Sequence, residues 1–406
     1  MDRKILRLRI SVAATVGALV LSAAACTKGL DADDGGRELR VLIGPSRTDE
    51  TASLRAAVRE WSAAHGRDVT VDLAADIPRQ LTRGFAAGNA PDVFALGTDH
   101  FAEYAAAGFL EPYGDALGNT GDFHPALVTT FTVDGELVCA PREFSTLALV
   151  IDATAWKRAG LTPGDYPATW DDLHRAAKRL TTGERAGLTF PPEWERIGAF
   201  MAAAGGGLVD ERLRPAADTP ENLRALSYAK DLLVSGAARF PSEVGAGWGG
   251  EALGTGAAAM TIEGNWVIPA LREDYPDVEY AVVPLPHGPA GPATLGFTEC
   301  WGIAADGRDH GAAVSLVRHL TSARQQTEFA RDYGAMPSVR SAAEAWAAAN
   351  PGMDAFLDGA AGAQGVPPMV GLADALPEVN ARLAQLPEDD PKAVLTEVQS
   401  ALEAAN

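Results

Sequence analysis

Cysteine is nearly missing from this 406-residue chain, which has only Cys26, Cys139 and Cys300. So few exclude a small scaffold stapled by disulfides. The signatures of several enzyme classes are also absent. The seven histidines form no H-x-x-x-H or H-E-x-x-H pair, so His174, His287, His310 and His319 read as surface or capping groups and no metal is expected. There is no G-x-S-x-G elbow and no G-x-x-x-x-G-K-[ST] phosphate loop. Gly205-Gly206-Gly207 lacks the strand–helix setting of a dinucleotide site, and no cofactor is expected. Basic residues are in deficit, 34 Lys and Arg against 54 Asp and Glu, for a formal charge of -20. That balance argues against nucleic acid and anionic membrane surfaces as partners.

What is present begins with a leader. Arg3, Lys4, Arg7 and Arg9 precede an apolar or small run, Ser11 to Leu21, and Ser22-Ala23-Ala24-Ala25 leads into Cys26. This is the layout of a signal peptide over residues 1–25. The apolar run falls short of the roughly 20 residues of a membrane span, and no run of spanning length follows it. Cys26 directly after the cleavage region reads as a lipid anchor, although Leu21 stands two positions earlier than a lipobox places it; plain secretion is the alternative. Residues 26–38 read as a polar tether.

The remaining length exceeds the ~250–300 residues at which one core usually stops growing, so two domains are expected. Leu39 to Ile43, Val69 to Leu73 and Pro91 to Leu96 read as strands, separated by helices around Leu54-Val58-Trp61 and Gln80 to Ala87. Gly66 sits where a C-terminal cap belongs. The same grammar resumes with a strand at Leu147–Ile151 and a helix from Thr169 to Leu180 that opens on a capping-box pattern. Further helices fit Pro220 to Ser235 and Gly311 to Leu320. Pro377 to Ala404 reads as helical, broken by Pro387 and Pro391. Strands alternating with helices give an α/β fold with parallel or mixed sheets.

Gly88-Asn89-Ala90-Pro91-Asp92-Val93-Phe94, Pro141 to Leu149, Ala159-Gly160-Leu161 with Thr169-Trp170-Asp171-Asp172-Leu173, and Gly247-Trp248-Gly249-Gly250-Glu251-Ala252 follow one another along the chain. Ala258-Ala259-Met260 with Glu263-Gly264-Asn265-Trp266, Phe297 to Ala304 and Gly334 to Ser338 complete the series. In this order they resemble the extracellular solute-binding proteins of carbohydrate ABC importers, on the maltose/trehalose and oligosaccharide side. The resemblance implies two α/β lobes, each a mostly parallel sheet flanked by helices, joined by a hinge. Residues 39–141 and 301–335 would form the N-terminal lobe, 142–148 and 296–300 the crossings, and 149–295 with 336–406 the C-terminal lobe. It also implies a catalytically inert, monomeric sugar receptor held on the extracellular face of the cytoplasmic membrane, with permease subunits as partners. On this layout Cys139 and Cys300 lie on neighbouring crossings in an oxidising compartment and are expected to form a disulfide; two buried thiols acting as small hydrophobes are the alternative.

A sugar offers hydroxyls at its rim and a flat C–H face, which carboxylates and aromatic rings serve in turn. Four tryptophans with Gly or polar neighbours qualify as ligand-stacking rings: Trp194, Trp248, Trp266 and Trp301. Trp61 and Trp156 sit in amphipathic helices and read as core. Glu143, Glu251, Glu299, Asn265 and Ser145 are candidate hydroxyl partners. Asp99 and Arg47 join them because they follow strand C-terminal ends, where open α/β sheets bind ligands. Two other function classes stay open on sequence alone. Glu143 and Glu251 could serve as the acid and base of a secreted glycoside hydrolase, and a two-lobe fold can also bind peptides, polyamines or metal chelates.

Overall fold

The structure, a computed structural model, describes residues 38–406. The leader, the Cys26 anchor and all of the tether but Glu38 lie outside the described residues. Strand Leu39–Ile43 pairs in parallel with Val69–Leu73 on one side and Val93–Gly97 on the other. Its apolar residues are almost wholly buried, as a central strand covered on both faces requires. Helix Thr48–His65 packs Leu54, Val58 and Trp61 inward and ends at Gly66, whose φ of 61° needs a residue without Cβ strain.

The chain then enters a thirteen-residue strand, Ala140–Asp152. Its first half pairs antiparallel with the returning strand Thr294–Ile303, which in turn pairs with Val93–Gly97. From Leu147 onward its partner changes to Met260–Gly264, and from Leu149 it also pairs with Tyr280–Val283. Parallel pairings then carry the sheet on through Leu188–Thr189 to Ala238–Arg239. Hydrogen bonding is thus continuous from Val69–Leu73 to Ala238–Arg239, and the pairing is mixed rather than mostly parallel.

Packing divides where the strand pairing does. One core gathers Leu39, Val41, Leu54, Trp61, Trp301, Ile303 and Val317. Another gathers Leu149, Ile151, Trp156, Phe190, Leu226 and Ile262. Val339 and Ala342, beyond residue 335, belong with the first core, and Phe144, Ala148 and Val150 pack with Leu253, Ile268, Trp346 and Phe356 alongside the long strand. Thr169 and Asp172 exchange the two hydrogen bonds of a capping box at the start of helix Trp170–Leu180. The C-terminal region forms helices Leu372–Leu383 and Pro391–Ala405. Its first helix starts before Pro377 because Leu372, Ala375, Val379 and Leu383 supply the buried face. Pro391 opens the second, where a missing N–H costs nothing. No helix among the described residues is long and apolar enough to cross a membrane.

Candidate functional site

The two crossing strands form the floor of a cleft. In their antiparallel register Phe297 lies opposite Ser145 and Glu299 opposite Glu143. Because side chains alternate along a strand, these four share one face. Above them is a cavity of about 260 Å³, lined also by Arg47 and Glu50, by Asn265 and Trp266, and by Tyr333. A second cavity of about 380 Å³ adjoins it, shares Arg47, Asn265 and Tyr333, and extends to Glu273 and Trp346. Arg47 and Asp49 follow the first strand, and Glu273 comes from helix Val267–Asp274, so the ion pair of Arg47 with Glu273 at 2.5 Å joins two elements that line the second cavity.

Arg142 organises the acidic side. Its guanidinium donates to Glu299 Oε2 at 2.6 Å and to Glu50, and lies 3.7 Å from Glu143 Oε1. It also rests over the Trp301 ring, 5.2 Å from the centroid. Three carboxylates therefore converge on one cation. Burial works against the Arg142 charge, but Glu143, Glu299 and Glu50 more than offset it and keep the guanidinium protonated. Burial, with the repulsion of Glu50 and Glu299, pushes the Glu143 carboxyl up to about 7 against the pull of Arg142. The Tyr333 hydroxyl, held well above its usual range by burial and by Glu143, is a neutral donor 3.4 Å from Glu143 Oε2.

The apolar side is aromatic. Trp266 meets Phe297 edge-on, with centroids 5.7 Å apart and planes at 69°. The Asn265 backbone N–H donates to Ser145 Oγ at 3.2 Å, and its side-chain amide donates to the Gly334 carbonyl at 3.1 Å. The loop before Trp266 is thereby tied both to the floor and to the segment after helix Ala323–Tyr333.

Six of the sequence candidates come together at this cavity: Arg47, Glu143, Ser145, Asn265, Trp266 and Glu299. Five lie outside both cavities, and for each the reason is physical. Trp301 is fully buried in the first core, where its ring supports Arg142. Trp194 is 3% exposed and packs in the second core. Trp248 is half-buried against the cluster beside the long strand, its indole over Gly250. Glu251 closes its own turn, accepting from the Gly247 N–H at 2.6 Å. Asp99 lies in the first turn of helix Thr98–Ala106, 3.8 Å from His100. Glu50, Tyr333 and Phe297 were missed. Glu50 shows only as an acidic residue in a first helical turn, a common helix-start feature. Phe297 follows from Ser145 once the two crossings are paired.

Cys139 and Cys300 are joined in a disulfide, with Cα atoms 5.5 Å apart. Both are fully buried, among Leu96, Phe101 and Phe131. Cys300 follows the register shift that separates it from Glu299, so the bond ties the start of the long strand to the return strand beside the carboxylate cluster.

A cleft floored by two crossing strands, with α/β halves on either side, is the architecture of a two-lobe solute-binding protein. Residues 56–355 match the profile of the bacterial extracellular solute-binding protein family, and the chain belongs to that family. An uncharacterized lipoprotein from the oleD 5′ region of Streptomyces antibioticus is 27% identical over 80% of this chain and 75% of its own length. Among solved structures, an ABC substrate-binding protein of Listeria monocytogenes in complex with cycloalternan superposes with a TM-score of 0.80. It is 20% identical, covering 90% of this chain and 98% of that one. The GacH receptor of Streptomyces glaucescens, solved unliganded and with acarbose, gives a TM-score of 0.76 at 23% identity over 91% and 98% of the two chains.

Proposed function

We propose that this protein is the extracytoplasmic receptor of an ABC sugar importer, capturing a di- or oligosaccharide in the cleft above the crossing strands. The observation that carries this reading is the mixed lining. Trp266 and Phe297 line a cavity that Glu50, Glu143 and Glu299 also line. Rings suit the C–H face of a pyranose, and carboxylates accept from its hydroxyls. The sugar ligands of the Listeria and Streptomyces glaucescens proteins support it. Residues 142–148 and 296–300 act as the hinge, and ligand that touches both walls raises the closed population by its differential affinity. The closed form then docks on permease subunits, with the protein acting as a monomer.

Lipid at Cys26 holds the receptor on the outer face of the cytoplasmic membrane, so Cys26→Ser releases it into the detergent-free soluble fraction with ligand affinity unaltered. Continued membrane fractionation of that variant would rule the anchor out. A hydrolase built on Glu143 and Glu251 gains no support, because only Glu143 lines the cavity. The test of the ligand class is a thermal-shift panel of mono-, di- and oligosaccharides beside spermidine and ferric chelates. A saturable shift with a saccharide alone is expected; a shift with spermidine or a chelate and none with any sugar would contradict it.

A further inference from the structure

Behind the Trp266 wall lies a buried charge pair that the cleft surface does not use. Glu263, near the end of strand Met260–Gly264, is fully buried. Its Oε2 accepts from Arg196 Nη2 at 2.7 Å and from the Trp266 indole N–H at 3.0 Å. Arg196 comes from the first turn of helix Trp194–Ala203, and its guanidinium lies 5.2 Å from the Trp266 ring centroid. The indole is thus held at its N–H by Glu263, on its ring by Arg196 and at an edge by Phe297.

This arrangement is a poor way to gain stability. A carboxylate and a guanidinium taken out of water repay their desolvation badly, and apolar residues of similar volume often do as well or better. Glu263 Oε1 and Arg196 Nε are buried with no hydrogen-bond partner among the described residues, which adds to the cost. What the pair does supply is orientation. A charge-assisted acceptor fixes the direction of the N–H, and a planar cation over the ring fixes its tilt.

We propose that Glu263 and Arg196 are positioning residues for ligand recognition: a buried carboxylate–guanidinium pair that locks the Trp266 indole in one orientation, so that the ring meets its ligand already ordered. This rests on the cleft being the ligand site. Pre-organising a side chain spares the ordering cost otherwise paid on binding, so its loss should show as affinity.

The test pairs Glu263→Gln, which keeps an acceptor for the indole and removes the partner charge of Arg196, with Arg196→Lys, which keeps the charge and removes the planar stack. In ligand-free protein, the near-UV circular dichroism difference between wild type and Trp266→Phe isolates the Trp266 band. Glu263→Gln is expected to weaken that band and to lower maltotriose affinity by about three- to tenfold. In the Trp266→Phe background the same substitution is expected to change affinity no further, which general damage to the fold would not reproduce. An unchanged band, or an equal loss of affinity in both backgrounds, would overturn the proposal. Should Glu263→Gln fail to fold, Arg196→Lys carries the same two measurements. Should wild type not bind maltotriose, that ligand is wrong for the cleft, and the ligand-free band still decides the positioning role.

Discussion

Glu143 faces a guanidinium 3.7 Å away, yet it holds its proton to about 7 because burial and two neighbouring carboxylates outweigh one cation. The consequence for stability has a definite sign. A carboxyl whose folded pKa lies above its ordinary value of 4.5 favours the folded state fully below that value, and the contribution is lost as pH rises to about 7. Glu143→Gln should therefore raise the melting temperature relative to wild type more at pH 8 than at pH 5. A difference that stays constant, or shrinks toward pH 8, would mean the carboxyl titrates normally. At this scale the sequence was only half legible. Trp266 and Trp301 both sit beside polar or glycine neighbours, and local composition could not tell a cleft ring from a fully buried one. What separates them is the backbone: Trp266 stands at the start of helix Val267–Asp274, and Trp301 lies within the return strand. Trp301 lies opposite Ala140, beyond the register shift, and turns into the core, where it carries Arg142.

The secondary-structure elements were easier to read where apolar runs were short and cleanly bounded. The strands at 39–43 and 69–73 stand where their β-rich runs put them. The long strand was harder. Sequence gave its apolar part, Leu147–Ile151, as strand and the polar part before it as a crossing. In the structure the strand begins at Ala140, because Glu50 and Glu299 take up the charge of Arg142 and allow an arginine to lie buried within a sheet. The disulfide fixes this element against its neighbour. Its ends are 161 residues apart, so the chain-entropy model assigns it up to about 5 kcal/mol through restriction of the unfolded chain. Replacing both cysteines with serine should lower the urea midpoint substantially. Because the bond adjoins Glu299, ligand affinity should fall as well. A pair of serines that left both midpoint and affinity untouched would show that the crossings hold their register without it.

At the scale of the whole molecule, the two halves are joined by the crossing strands and by the cluster packed along them, and they also touch where helix Thr98–Ala106 meets helix Leu372–Leu383 and where Arg47 pairs with Glu273. That ion pair is partly exposed, with side chains 38% and 64% accessible, so it adds little to stability. The division into two α/β halves was legible from chain length and from the alternation of strands and helices. The cleft between them was legible only in part: Arg47, Glu143, Trp266 and Glu299 could be named as candidates, but Glu50 and Tyr333 join them only in the tertiary fold. Capture of a saccharide there is open to calorimetric titration. Wild type and Trp266→Ala would be titrated with the saccharide that gives the largest thermal shift, and with spermidine as the non-sugar control. Wild type should show one saccharide site and no heat from spermidine, and Trp266→Ala should lose about 1–3 kcal/mol of binding free energy with the fold intact. Saccharide binding of equal strength in both proteins, or binding of spermidine alone, would contradict saccharide capture there.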